Sequence, residues 1–94
     1  MVIYHGIFHV KDGQRQEYIE KIRQSGLVEE FIRQKGNVFY TVSASVMNEN
    51  DLIVSDLWES RIDFESHVNS QAVKEWHEIY HQYVIGCEER EYEM

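Results

Sequence analysis

In the segment VIYHGIFHV, residues 2–10, apolar side chains occupy both alternating sets, with Tyr4, Phe8 and Val10 on one and Ile3 and Ile7 on the other. β-Branched and aromatic residues dominate it, which reads as a strand. Successive strand residues point to opposite faces. The segment DLIVSDLW, 51–58, repeats the pattern, with Leu52, Val54 and Trp58 opposing Ile53 and Leu57. A sheet built on these strands is apolar front and back, whereas a sheet covered on one side only is polar on the other. A chain of 94 residues has little left to cover the second face. A second copy packing sheet against sheet is the simplest cover, so a homodimer is expected.

The remaining elements follow from turns, caps and glycines, because the chain has no proline. Asp12-Gly13 supplies a turn. Residues 14–35 have helical composition, but their apolar stripe changes phase: Tyr18, Ile19 and Ile22 share one face and Leu27, Val28, Phe31 and Ile32 another. At about 100° per residue the two faces differ by more than a quarter turn, which predicts a break at Ser25-Gly26. Gly36 is a suitable helix stop. Residues 37–47 read as a second strand, 48–50 as a hairpin connection and 51–58 as the third strand. Ser60 caps a short helix with Asp63 three residues on. A further helix runs from Asn69 or Ser70 to about Tyr83, and the tail GCEEREYEM is a weak candidate for a last strand. The order βαββαβ is the ferredoxin-like α+β arrangement in a single domain, 1–94, with helices on one face of an antiparallel four-stranded sheet.

The formal net charge of −8 argues against nucleic acid and anionic membrane surfaces, which need clustered Lys and Arg. No apolar run approaches a membrane span, and the start of the chain lacks a signal-peptide pattern. A single cysteine, Cys87, excludes a disulfide framework within the chain and fits a reducing compartment; the expected location is cytoplasmic. Glu88 and Glu89 beside it oppose a reactive thiolate.

Residues 77–81, HEIYH, match the helical zinc-protease pattern H-E-x-x-H. On this helix the apolar stripe is Ala72, Val73, Trp76, Ile79, Tyr80 and Tyr83, so Glu78 faces water, His81 lies outside and His77 on the shoulder. The extended pattern fails at Val84 and Cys87, so no catalytic metal site is expected. His67, three residues after Phe64, shares the buried face of the short helix; it reads either as a core-edge histidine bonded to backbone or water, or as a pocket residue acting as hydrogen-bond donor or proton shuttle. His5 and His9 lie with Ile3 and Ile7 and read as buried neutral histidines at the dimer interface. No phosphate loop, nucleophile elbow or paired-carboxylate constellation is present.

At DLIVSDLWESRIDFESHVNSQAVKEW, 51–76, the sequence resembles the antibiotic biosynthesis monooxygenase (ABM) family. That family shows an apolar strand ending in an acid, any residue and Trp, then Glu-Ser, an apolar residue and His; here these are Asp56, Trp58, Glu59, Ser60, Phe64 and His67. FHVKDGQRQEYIEKI (8–22) and GNVFYTV (36–42) resemble its first strand and helix and its second strand. The resemblance implies a dimeric α/β barrel with a pocket between sheet and helices in each subunit. It further implies a cofactor-independent monooxygenase acting on a small aromatic or quinol-like molecule. The haem-degrading branch has Asn, Trp and His in its pocket. Here only His77 corresponds, with His67 in the Trp place, so haem degradation is not implied. With no flavin or metal motif, no cofactor is expected.

An oxygenase of this kind needs a water-poor pocket and a base to form the electron-rich phenolate. His67 is the candidate catalytic base, and Tyr40, Trp76, His77 and Tyr80 are the candidate substrate-binding residues, while Trp58 reads as core. The alternatives are an isomerase or lyase on the same scaffold and a non-catalytic dimer that binds a small apolar ligand. Few cations fall on the pocket segments, since Lys74 projects away and Arg61 sits at a helix start, which disfavours a phosphorylated substrate.

Overall fold

A computed structural model describes residues 1–94. The elements are β1 (Val2–Val10), α1 (Arg15–Ser25), α2 (Leu27–Arg33), β2 (Asn37–Ala44), β3 (Asp51–Trp58), α3 (Arg61–Val68), α4 (Gln71–Tyr83) and β4 (Val84–Glu93). The four strands form one antiparallel sheet in the order β2-β3-β1-β4. This is the expected ferredoxin-like βαββαβ fold. No helix is long and apolar enough to cross a membrane.

Local signals set the boundaries. Gly26 stands at φ 70°, ends α1 and begins α2, so the phase change of the apolar stripe coincides with a residue that takes the left-handed conformation without a Cβ clash. Ser60 Oγ accepts from the Asp63 backbone N–H at 3.1 Å, and Ser70 Oγ accepts from that of Val73 at 3.3 Å, capping α3 and α4. The second strand stops at Ala44, three residues short of the expected end. Ser45 Oγ there accepts from the backbone N–H groups of Met47 and Asn48, which turns the chain early. The tail does form a strand, paired with β1 along its length.

The two central strands divide their side chains as the alternation requires. Val2, Phe8, Val10, Leu52, Val54 and Trp58 face the helices and join a buried cluster with Tyr18, Ile22, Leu27, Phe31 and Trp76. Ile3, Ile7, Ile53 and Leu57 lie on the helix-free face and are only half-buried in the single chain. Gly6 sits on the helix side between Tyr4 and Phe8, where a Cβ would come within 2.7 Å of the Tyr4 hydroxyl. Its missing side chain is the space that the Tyr4 ring leans across.

The two histidines of β1 lie on the helix-free face, where β3 and β4 bring them polar partners. His5 is exposed and bonds through Nδ1 to Ser55 Oγ at 2.8 Å. His9 lies between Asp51 Oδ1 at 2.7 Å and Glu88 Oε2 at 2.8 Å, and hydrogen bonds to these two carboxylates raise its pKa.

At Gly26 nothing lies within 4 Å of the point a Cβ would occupy, so substitution meets backbone strain alone. Gly26→Ala should lower the unfolding free energy by about 1 kcal/mol without altering the fold, as read from urea midpoints and circular dichroism.

Candidate functional site

Strand register builds the floor of the site. Tyr40 of β2, Asp56 of β3, Tyr4 of β1 and Glu91 of β4 pair in one row across the sheet, and their side chains face the helices. Two rows further along, Phe8 pairs with Cys87. Helices α3 and α4 supply the opposite wall with Phe64, His67, Val73, Trp76, His77 and Tyr80. Between them lies a half-open cavity of about 750 Å³, within the range of small-molecule sites.

Asp56 is 2 % exposed and lines this cavity. Its Oδ2 accepts a hydrogen bond from Trp58 Nε1 at 2.6 Å. Burial pushes the carboxyl up to about 7, against the opposing pull of the Trp58 hydrogen bond. Burial likewise raises the pKa of Tyr40, with the Asp56 charge adding to it. Burial raises that of Tyr4 too, and its hydroxyl donates to Glu89 Oε2 at 2.7 Å.

His67 is 7 % exposed. Its ring stacks on Trp58 at 4.4 Å between centroids and meets the Phe31 ring edge-on at 4.7 Å. Nδ1 lies 2.7 Å from Gln34 Oε1, and the Gln34 amide nitrogen donates to Ser70 Oγ at 3.2 Å. The amide oxygen is therefore the group facing the ring, and the imidazole proton sits on Nδ1. Nε2 is left without a protein partner. Burial lowers the imidazolium pKa to about 4, so the ring is neutral near neutrality.

The rim is polar. His77 and His81, with ring centroids 6.1 Å apart, both line the opening, and burial and the neighbouring His81 lower the pKa of His77. His81 thus reaches the site, although the helical wheel places it outside. Glu78 is exposed, and no third His, Cys, Asp or Glu joins His77 and His81 as a potential metal ligand. Burial and Glu89 raise the pKa of Cys87, which is the opposite of nucleophile activation. Arg61 reaches the cavity edge but is engaged by Glu93 at 2.9 Å and Glu91 at 3.5 Å.

All five sequence candidates, His67, Tyr40, Trp76, His77 and Tyr80, line this one cavity. Trp58 is fully buried core and acts from behind, through Asp56 and His67. Sequence reasoning missed Asp56 as a site residue. The signal was present: Leu52, Val54, Asp56 and Trp58 share one strand face, and an acid on an apolar face needs a reason. Glu89 and Arg90 were missed as well, because only the pairing of β4 with β1 brings them to the cavity, and so was Tyr4 on the helix side of β1.

A ferredoxin-like domain with an aromatic, acid-bearing cavity between sheet and helices is the class that this geometry defines. The sequence profile of the family described as antibiotic biosynthesis monooxygenase matches residues 1–79. The chain belongs to this ABM family. Among solved structures it is similar to a protein of Nitrosomonas europaea named for the same family, at TM-score 0.88 and 17% identity, covering 100% of this chain and 98% of that one. It is also similar to a conserved protein of Methanosarcina mazei, at TM-score 0.85 and 21% identity, covering 97% and 89%. A third structure, of an antibiotic biosynthesis monooxygenase, matches at TM-score 0.85 and 10% identity, covering 100% and 98%. At these identities the likeness is one of fold. No match is found among curated proteins.

Burial of Asp56 has a thermodynamic consequence with a definite sign. Its folded-state pKa of about 7 lies above the ordinary aspartate value of 3.8. The folded protein then binds more protons than the unfolded chain in that interval, and stability falls as pH rises through it. Asp56→Asn removes this loss. Its stability relative to the parent protein should rise between about pH 4 and pH 7, by at most on the order of 4 kcal/mol, in urea titrations at several pH values.

Proposed function

We propose that the protein is a cofactor-independent monooxygenase of small aromatic, quinol-like molecules. The observation that carries this reading is a cavity whose aromatic walls enclose two groups able to take a hydroxyl proton, the free Nε2 of neutral His67 and the carboxyl of Asp56. The rim disfavours anionic substrates: Glu65, Glu89 and Glu91 line it, and Arg61 is held by Glu91 and Glu93. A phosphorylated ligand would meet more carboxylates than free cations there.

A quinol is suited to such a site because it supplies all the electrons the reaction needs. Loss of a hydroxyl proton leaves an electron-rich anion that can react with molecular oxygen. One oxygen atom enters the ring as a hydroxyl, the other leaves as water, and the product is the hydroxyquinone. In this reading His67 Nε2 is the catalytic contact to the substrate hydroxyl, and Tyr40, Trp76, His77 and Tyr80 hold the ring. Oxygen uptake with a panel of quinols should be detectable for the parent protein and reduced about 10²-fold or more in His67→Ala. No uptake with any quinol would shift the reading to an isomerase or lyase, or to a ligand-binding protein without catalysis.

The same proposal includes a homodimer. Ile3, Ile7, Ile53 and Leu57 form an apolar centre on the helix-free face, flanked by Phe39 and Tyr92, which are 37% and 57% exposed. A self-complementary copy of this face would remove that centre from water. Sedimentation at micromolar concentration should show a dimer, and Ile53→Glu should shift it to monomer; a parent protein that sediments as a monomer would refute this part.

A further inference from the structure

We propose that Asp56 is the proton acceptor for a hydroxyl group bound in the cavity, with His67 Nε2 receiving the hydrogen bond that orients the ligand. This rests on the reading that the cavity takes an aromatic hydroxyl compound. It extends that reading by assigning the proton's destination.

The geometry is that of an acceptor lacking one donor. An ionised carboxyl accepts on both oxygens. Asp56 Oδ2 is occupied by Trp58 Nε1, whereas Oδ1 has no protein donor. The neighbours in its row do not supply one. The Tyr4 hydroxyl is committed to Glu89, and Tyr40 makes no hydrogen bond to Asp56. No Lys, Arg or His pairs with it. The charged or titratable groups around it are Tyr40 from β2, Tyr4 and beyond it Glu91 from the β1 and β4 side, and His67 from α3 across the Trp58 ring. A side chain 2 % exposed on an otherwise apolar strand face, lining a cavity and one donor short, fits a donor arriving with the ligand.

The relative basicities agree. A phenol of about 10 gives its proton to a group near 4, such as His67, against about six powers of ten, and to a group near 7, such as Asp56, against about three. Asp56 is the better proton acceptor by about a thousandfold, and His67 the better neutral hydrogen-bond acceptor. The proton passes from the ligand O–H to Asp56 Oδ1, no electrons move in that step, and the proton is later returned to the water formed from oxygen. An anionic ligand would meet the carboxylates of Asp56, Glu65, Glu89 and Glu91, against Arg90 as the one lining arginine not held in an ion pair.

The test uses 4-nitrophenol, whose hydroxyl ionises near neutrality and which is not oxidised. Binding to the intact protein is followed near pH 7, where the neutral probe and the ionised Asp56 carboxylate are both populated, by visible and infrared difference spectra. The parent protein should gain a carboxylic-acid C=O band and a phenolate band together on binding. Asp56→Asn should lose the acid band, and His67→Ala should keep it with weaker binding. Binding without an acid band in the parent protein, or an acid band that survives Asp56→Asn, overturns the assignment. Failure of the probe to bind removes the aromatic-hydroxyl reading and this assignment together. An acid band without oxygen uptake on quinols retires the oxygenase while leaving Asp56 as acceptor, so the two failures are distinguishable.

Discussion

The two-residue period of β1 and β3 is the constraint on which the structure depends. Each strand is apolar on both sides, and within the chain the helices cover only one of them. Helices α1 to α4 cover one face and bury Tyr18, Phe31, Trp58 and Trp76 there. They do not close it completely. β4 presents Cys87, Glu89 and Glu91 on the helix side, in register with Phe8, Gly6 and Tyr4. Carboxylates cannot be sealed under apolar helices without large desolvation costs. The roof therefore stops short of them, and the gap is the cavity.

Within that gap the protein carries polar groups that its stability would be better without. Burial pushes the Asp56 carboxyl up to about 7 and pulls the His67 imidazolium down to about 4, and Trp58 lies between them. Its indole N–H binds one and its ring face stacks on the other. Opposed environments of this kind separate proton-accepting roles at a single site. Gly6 contributes by absence: the Tyr4 hydroxyl, bonded to Glu89, occupies the space its side chain would fill.

Much of this was legible in the sequence, because much of it is local. The helix break at Gly26, the caps at Ser60 and Ser70 and the two-faced strands follow from torsional preference and side-chain period, which neighbours along the chain decide. His67 was legible too, since its spacing from Phe64 places it on the buried face of α3. Asp56 was readable in principle from the apolar row it interrupts, but a single acid in a strand does not reveal whether it meets a cation, water or a cavity. The early end of β2 depended on Ser45 turning back on its own backbone, a competition that strand propensity does not express.

The sequence by itself determined the elements, their order and the apolar character of both sheet faces, since φ/ψ preference and alternation act over a few residues. Only the tertiary structure decided what those elements surround. The row Tyr40, Asp56, Tyr4 and Glu91 joins four strands from across the chain, and the pairing of the acidic tail with β1 turns a weak strand signal into a cavity wall. The basicities of Asp56 and His67 were decided there as well, because desolvation is set by everything packed around a group and not by its place in the chain.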